Sequence, residues 1–144
     1  MKSKMILVVE DDSSDVKLLM ASITDDEFIN NIEFTHNGQE AVDFLKRENK
    51  YSTRPSRNPD LILLDLNIPL INGIEVLEII KNDSSLKTIP VVAFSSSNYD
   101  LDIKKCYDLG INSYIVKPMD FVKYKKTVQQ LFKFWVDINQ PPCY

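Results

Sequence analysis

The chain has 144 residues, 44% of them hydrophobic and 26% charged, and its net charge is −4, which is typical of one globular domain. The acidic balance argues against bulk nucleic-acid binding through a basic surface, and no apolar run is long enough to span a membrane. The apolar stretch after the basic N-terminus is too short for a signal peptide, so we expect a cytoplasmic protein with no nucleic-acid or membrane partner.

The first half of the chain alternates strands and helices. Apolar residues 5–9 predict a strand, and residues 14–23 predict a helix because their apolar side chains repeat at the offsets of one helical face. Ile32–Thr35 predicts a short strand, and Asn37 predicts the N-cap of the next helix. Residues 50–59 predict a polar loop of unusual length.

The second half continues this alternation. Leu61–Leu64 is typical of a strand buried on both faces, and residues 91–94 and Ser113–Val116 predict two more strands. Gly73 precedes a helix with an apolar stripe, and Gly110 ends the following helix. A last helix carries large apolar residues at helical spacing: Phe121, Tyr124, Val128, Leu131, Phe132 and Trp135.

Five strand–helix pairs predict a three-layer α/β/α sandwich around a five-stranded parallel sheet. We expect the flavodoxin-like strand order 2-1-3-4-5. In this order the first and third strands flank the switch point of the sheet, where ligands bind beyond the carboxyl ends of the strands. Residues at the ends of these two strands are therefore the first candidates for a functional site.

Acidic residues follow both of those strands. Asp65 comes directly after Leu61–Leu64, and Glu10, Asp11 and Asp12 come directly after the first strand. Two carboxylates about 4 Å apart repel by on the order of 4 kcal/mol at an effective dielectric of about 20, so such a cluster must bind a proton or a cation. Carboxylate oxygens favour Mg²⁺, Mn²⁺ or Ca²⁺ over zinc.

A lysine and a hydroxyl complete this pattern. Lys117 follows the fifth strand and Ser95 follows the fourth, at the same edge of the predicted sheet. A lysine offers a point charge for phosphate. With Asp65 as the nucleophile and a divalent cation, this set of groups is typical of phosphoryl transfer to a carboxylate.

Four segments together resemble the receiver domain of two-component response regulators, over about residues 5–132. They are, in chain order, VVEDD from Val8, LLDLNIP from Leu63 with Gly73, VVAFS from Val91, and SYIVKP from Ser113. The loop before the third strand and the closing Phe-Trp pair further resemble the single-domain regulators paired with bacterial phytochromes.

The resemblance implies roles for the acids. Asp65 would accept the phosphoryl group. Glu10 and Asp11 would hold Mg²⁺ together with Asp65, and the backbone carbonyl of Asn67 would add a ligand. Glu10 stands where many members of the family have an aspartate.

The resemblance also implies roles at the last two strand ends. Lys117 would contact the phosphoryl group, and Pro118 would follow a cis peptide bond. Ser95, in place of the commoner threonine, would be the switch hydroxyl, and Tyr114 would be the switch aromatic. On its residues alone, Tyr114 is equally a packing residue of the fifth strand.

Several other polar residues have plainer interpretations. We interpret Asp12 as a helix cap or a solvated acid, His36 as a loop residue and Ser97 as a turn residue. Cys106 and Cys143 are far apart in the sequence and near no ligand cluster. We therefore expect a helix residue and a tail residue, not a disulfide or a metal pair.

We interpret the chain as a stand-alone receiver, a single domain over residues 1–144 with its core at about 5–132 and an extension at 133–144. It would take a phosphoryl group from a histidine kinase, phytochrome-like by the narrower resemblance, or from a phosphotransfer protein. It would then change its contacts with an unknown downstream protein.

Such a receiver is not an enzyme with a turnover substrate, because it catalyses only its own phosphorylation and dephosphorylation. One alternative is a phosphatase of the haloacid dehalogenase type, which requires an acid where Asn67 stands. A second alternative is a degenerate receiver that serves only as a docking module, although Glu10, Asp11, Asp65, Ser95 and Lys117 are all present.

The end of the chain predicts a homodimer. Phe134 lies off the apolar stripe of the last helix, and Ile138, Pro141, Pro142 and Tyr144 extend the apolar character beyond it. Contiguous exposed apolar surface usually marks a contact site, and the resemblance to phytochrome-linked regulators, several of which look dimeric, implies a homodimer with the last helix and the tail at or near its interface. A tail folded back on its own domain is the alternative.

Overall fold

Parallel pairing of five strands forms the central sheet of the protein. The computed structural model describes residues 4–23 and 31–142. The strands are β1 (Ile6–Val9), β2 (Ile32–Thr35), β3 (Leu61–Leu64), β4 (Val91–Ser95) and β5 (Ser113–Val116), in the order β2-β1-β3-β4-β5. The predicted strand order is confirmed.

Helices cover both faces of this sheet. They are α1 (Ser13–Ser22), α2 (Gly38–Lys46), α3 (Gly73–Asn82), α4 (Asp100–Asp108) and α5 (Phe121–Phe132). The helices α1 and α5 pack together on one face, and α2, α3 and α4 contribute to the core on the other face. This is the predicted three-layer α/β/α sandwich.

The central strands are buried on both sides because helices lie on both sides. Along β1, Ile6 and Val8 contact the layer of α1 and α5, whereas Leu7 and Val9 contact the layer of α2, α3 and α4. All four residues of β3 are buried as well. Burial of one such side chain stabilises the fold by about 1.5–3 kcal/mol. The two core layers together fix the register of the sheet and with it the positions of the strand ends.

Side chains cap the first two helices where the sequence predicted caps. Asp12 accepts hydrogen bonds from the backbone N–H groups of Ser14 and Asp15 at the start of α1. Asn37 accepts one from the N–H of Glu40 at the start of α2. Each cap satisfies amide donors that the first helical turn leaves free. The capping interpretations are confirmed, although α1 begins and ends one residue earlier than predicted.

Three local predictions require correction. The loop predicted at residues 50–59 overlaps a 3₁₀ turn, Asn49–Tyr51. Ser95 belongs to β4 and extends that strand by one residue. Phe121 is 52% exposed, because the buried stripe of α5 begins one turn later, at Tyr124.

The backbone after β5 differs from expectation at two places. No peptide bond among the described residues is cis, so the cis bond expected before Pro118 is not found; trans is the lower-energy form even before proline. Beyond α5 the chain continues as a π-helical segment, Lys133–Ile138.

Only one of the two cysteines lies among the described residues. Cys106 is buried in α4, as predicted for a helix residue, while Cys143 lies outside the described residues, as does Tyr144. Across the described ranges, no helix combines the length and the apolar character needed to cross a membrane.

Candidate functional site

The register of β1 and β3 brings two acids together at the carboxyl edge of the sheet. Val9 pairs with Leu64, and the N–H of Asp65 donates to the carbonyl of Val9 over 3.1 Å. The next residues along the two strands, Glu10 and Asp65, therefore lie side by side. Both are buried, with 5% and 8% exposure, so their charges are poorly solvated.

The register of β4 and β5 brings a cation to the same edge. Ser95 pairs with Val116, and the N–H of Lys117 donates to the carbonyl of Ser95 over 2.7 Å. The Lys117 ammonium then contacts Glu10 at 2.5 Å and Asp65 at 3.3 Å. The predicted approach of Glu10, Asp65 and Lys117 is thus present in the structure.

A third acid, Asp15, contacts the same ammonium at 3.0 Å, and it is not among the site residues predicted from the sequence. Asp15 lies in the first turn of α1, three residues after the Asp12 cap. A helix that starts directly after a strand end directs part of its first turn toward that edge of the sheet. The third helical position is a frequent place for acids in capped helices. An acid there, in a helix that follows a strand end, is the sequence feature that could have predicted Asp15 as a site residue.

Two predicted metal ligands do not belong to this group of clustered carboxylates. Asp11 is exposed and is not one of the three clustered acids, which are Glu10, Asp15 and Asp65. Asn67 is exposed, and its backbone N–H donates to the Asp65 carboxylate over 3.3 Å. The ligand roles of Asp11 and of the Asn67 carbonyl stay predictions.

Burial and close contact shift the proton affinities of this group. The pKa of Glu10 rises to about 8, first because burial penalises its charged form and then because Asp65 lies against it; Lys117 opposes the shift. Burial lowers the pKa of Lys117, but its bond to Glu10 and the charges of Asp65 and Glu10 outweigh burial, and the net shift is upward. Lys117 therefore stays charged at neutral pH.

The composition of the cluster fits a hard divalent cation. Glu10, Asp15 and Asp65 each offer a carboxylate oxygen, and these oxygens lie within 4.8 Å of one another. Three carboxylates face one ammonium, so the group carries an excess of acceptor oxygens and negative charge. Oxygen donors of this kind suit Mg²⁺ or Mn²⁺.

A chain of hydrogen bonds leads from the site into the β4–α4 connection. Ser95 is fully buried, and its hydroxyl accepts a bond from the N–H of Ser97 over 3.2 Å. The carbonyl of Ser97 accepts the hydroxyl of Tyr114 over 2.8 Å. The hydroxyl of Ser97 donates to Asp102 in α4 over 2.7 Å. Ser97 is therefore more than a turn residue, because it links the strand end to the next helix.

Two other residues near the site have structural roles. A Cβ atom on Gly73 would lie 2.4 Å from the carbonyl oxygen of Asp65, so the absence of a side chain lets α3 begin against the strand end. His36 is exposed in the loop after β2, as predicted, and its Nδ1 lies 3.2 Å from the carbonyl oxygen of Glu10.

Comparison with known proteins assigns the family. Residues 6–129 match the family model described as "Response regulator receiver domain". The chain belongs to this family. The receiver is 35% identical to Response regulator Rcp1 of Synechocystis, over 97% of this chain and 94% of Rcp1. It is 34% identical to the probable methanogenesis regulatory protein FilR2 of Methanothrix harundinacea, over 95% of this chain and 86% of FilR2.

Solved structures agree with the fold of this receiver. The phosphorylated cyanobacterial phytochrome response regulator RcpA matches with a TM-score of 0.91 and 36% identity, over 99% of this chain and 100% of RcpA. The Mn²⁺-bound form of Rcp1 matches with a TM-score of 0.88 and 33% identity, over 97% and 99% of the two chains.

Proposed function

We propose that this receiver accepts a phosphoryl group on Asp65 from a histidine kinase or a phosphotransfer protein. The observation that carries the proposal is the position of Asp65, which lies at the switch point of the sheet beside Glu10 and in contact with the ammonium of Lys117. A carboxylate in this place has the charge partners that a transferred phosphoryl group requires.

The proposed step transfers the phosphoryl group from a histidine nitrogen to a carboxylate oxygen. A carboxylate oxygen of Asp65 attacks the phosphorus of a phosphohistidine, and an O–P bond forms as the P–N bond breaks. The electron pair of the P–N bond stays on the imidazole nitrogen, which takes up a proton. Hydrolysis of the aspartyl phosphate later returns Asp65 and inorganic phosphate. Lys117 would leave part of its carboxylate contacts and bind a phosphoryl oxygen.

The cation we propose is Mg²⁺, held by Glu10, Asp11, Asp65 and the backbone carbonyl of Asn67. When bound, Mg²⁺ would offset the negative charge of the phosphoryl oxygens. The buried pair Glu10 and Asp65 supports this assignment, because two adjacent carboxylates favour a bound cation.

We further propose Ser95 as the switch hydroxyl and Tyr114 as the switch aromatic. Ser95 would bind a phosphoryl oxygen, and this bond would compete with the bond that its hydroxyl accepts from Ser97. Tyr114 holds the carbonyl of the same Ser97. A change at Ser95 would thus reach β5 and α4 and alter the surface that a downstream protein contacts.

The signalling context is also part of the proposal. We propose one receiver domain over residues 1–144, acting in the cytoplasm, which catalyses only its own phosphorylation and dephosphorylation and forms a homodimer. Likeness to RcpA supports a phytochrome-like kinase as the phosphodonor. The chain is 35% identical to Rcp1 and 34% identical to FilR2, so sequence identity alone does not identify its signalling pathway. Phosphotransfer profiling against the kinases of the source genome would identify the partner.

Mass spectrometry tests the phosphoacceptor. The parent protein, treated with acetyl phosphate and Mg²⁺, should gain one phosphoryl group, and Asp65→Asn should gain none. Asp120→Asn is the matched control, because Asp120 caps α5 at an exposed position and asparagine caps equally well. Labelling that persists in Asp65→Asn would refute the assignment, and an unlabelled parent would favour the docking-only alternative.

A further inference from the structure

The structure assigns a role to Asp15, an acid outside the ligand set proposed above. We propose that Asp15 is a positioning residue that keeps its contact with Lys117 when Glu10 and Asp65 bind a cation. It would thereby ease metal binding and keep the ammonium beside the phosphoacceptor. This inference rests on the proposed function.

The contacts of Lys117 are the starting point. Its ammonium has three protons to donate and contacts three carboxylates, at 2.5 Å to Glu10, 3.0 Å to Asp15 and 3.3 Å to Asp65. The lysine therefore competes with any cation for oxygens of the two buried acids. A cation that takes those oxygens must displace the ammonium from them.

The exposure of the three acids decides which one remains with the lysine. The side chains of Glu10 and Asp65 are 7% and 10% exposed, whereas that of Asp15 is 34% exposed. Asp15 thus lies at the rim, on α1, where the Asp12 cap fixes the first helical turn. A cation bound between the strand ends would leave the contact of Lys117 with Asp15 in place.

The rest of the lysine is held in position. Its backbone N–H bonds to Ser95, its side chain is 9% exposed, and its Nζ lies 5.7 Å from the centre of the Phe94 ring. A buried ammonium without a carboxylate partner is strongly unfavourable. When Glu10 and Asp65 bind the cation, Asp15 remains as a partner of the ammonium and removes most of that cost. Replacing Asp15 should therefore weaken metal binding, because Lys117 would then be left without a carboxylate partner.

A double-mutant cycle read by Mg²⁺ affinity tests this inference. Mg²⁺ is titrated, by competition with Mn²⁺ followed by electron paramagnetic resonance, into the parent, Asp15→Asn, Lys117→Met and the double variant. Lys117→Met should bind Mg²⁺ more tightly than the parent, since the competing ammonium is gone. Asp15→Asn should weaken Mg²⁺ binding about fivefold to tenfold in the parent, a typical size for coupled contacts. In the Lys117→Met background it should change affinity by less than about twofold.

Asp12→Asn is the matched control for the lost charge. It removes one negative charge from the same helix end, keeps the cap, and changes a residue that bonds to Ser14 and Asp15. Its effect on Mg²⁺ affinity should be the same with and without Lys117. Circular dichroism confirms that each variant is folded, and Asp15→Ala replaces Asp15→Asn if the latter is not.

Three results would overturn the inference. An equal loss of affinity on Asp15→Asn in both backgrounds would make Asp15 a direct ligand or a helix-stabilising residue. A loss no greater than that of Asp12→Asn would make its contact with Lys117 inconsequential. A parent that binds no Mg²⁺ would reject this inference together with the proposed metal site. The titration needs no phosphoryl transfer, so the two tests are independent. If Asp15 and Lys117 prove coupled in Mg²⁺ affinity but acetyl phosphate does not label the parent, the proposed function is refuted and this inference stands.

Discussion

At the level of single residues, the site is governed by an imbalance of charge. Three carboxylates share one ammonium, and two of the three are buried. Water solvates Glu10 and Asp65 poorly, so the metal-free protein must relieve their repulsion in another way. Glu10 does so by holding a proton at neutral pH, as its raised pKa shows.

The proton on Glu10 predicts a pH dependence of stability. Its pKa is about 8 in the folded protein against an ordinary value of 4.5. Between these pH values the folded state binds more protons than the unfolded state, so the free energy of unfolding falls as pH rises. The contribution is fully present below about pH 4.5 and lost through about pH 8, with a slope of up to ~1.4 kcal/mol per pH unit.

Urea unfolding of the metal-free protein between about pH 5 and pH 8 measures this slope. Glu10→Gln, which is neutral at every pH, should flatten it, whereas Glu78→Gln on the exposed side of α3 should leave it unchanged. A slope that survives in Glu10→Gln would place the proton on a different group.

The residues of the site differ in how far the sequence predicted them. Asp65, Glu10, Lys117 and Ser95 each lie at a strand end, so the alternation of elements was enough to bring them to one edge. Asp15 lies in a helix, and its contact with Lys117 depends on the exact start of α1, which a one-residue error in the predicted boundary obscures.

At the level of secondary-structure elements, the β4–α4 connection joins the site to the far edge of the sheet. The carbonyl of Ser97 accepts a hydrogen bond from the Tyr114 hydroxyl, and the hydroxyl of Ser97 donates one to Asp102. Burial raises the pKa of Tyr114, so its hydroxyl keeps the proton it donates. The strand and helix bounds were predictable from apolar runs, but these side-chain bonds across elements were not, because they depend on rotamers that no local pattern specifies.

This connection predicts where phosphorylation changes the protein. Amide hydrogen exchange with a phosphoryl mimic bound should differ from the free protein within residues 95–118, since a bond from Ser95 to the mimic alters its contact with Ser97. In Tyr114→Phe, which loses the bond to the Ser97 carbonyl, the change at residues 96–99 should shrink. Tyr107→Phe, at an exposed tyrosine of α4, should behave as the parent does. An unchanged 95–118 segment would mean a different switch.

At the level of the whole molecule, the fold was predictable because each layer has its own sequence pattern. Parallel strands read as continuous apolar runs, and the helices between them carry one apolar stripe each. The extension after α5 follows neither pattern. Within Lys133–Ile138, Val136 is buried and Trp135 packs against the core, whereas Phe134 and Ile138 are 47% and 61% exposed.

One part of the tail packs on its own domain, and another part exposes apolar side chains that a homodimer could bury. The Lys4 ammonium donates to the carbonyl of Asn139 over 3.2 Å, and Pro141 is buried. This part of the tail therefore folds back on its own domain. Phe134 and Ile138 are four residues apart on a helical segment and both exposed, so they are the groups of the extension that a partner copy would cover.

The homodimer is best tested at these two side chains. Truncation after Lys133 would also delete the packed Trp135 and the buried Val136, and would confuse unfolding with dissociation. We expect light scattering at tens of micromolar to show a dimer for the parent and a monomer for Phe134→Glu with Ile138→Glu, because each buried charge would lack a partner. Leu101→Glu, at a residue of α4 as exposed as Ile138, should stay dimeric. A parent that is monomeric with and without a phosphoryl mimic would reject the dimer, and dissociation on Leu101→Glu alone would place the interface on α4.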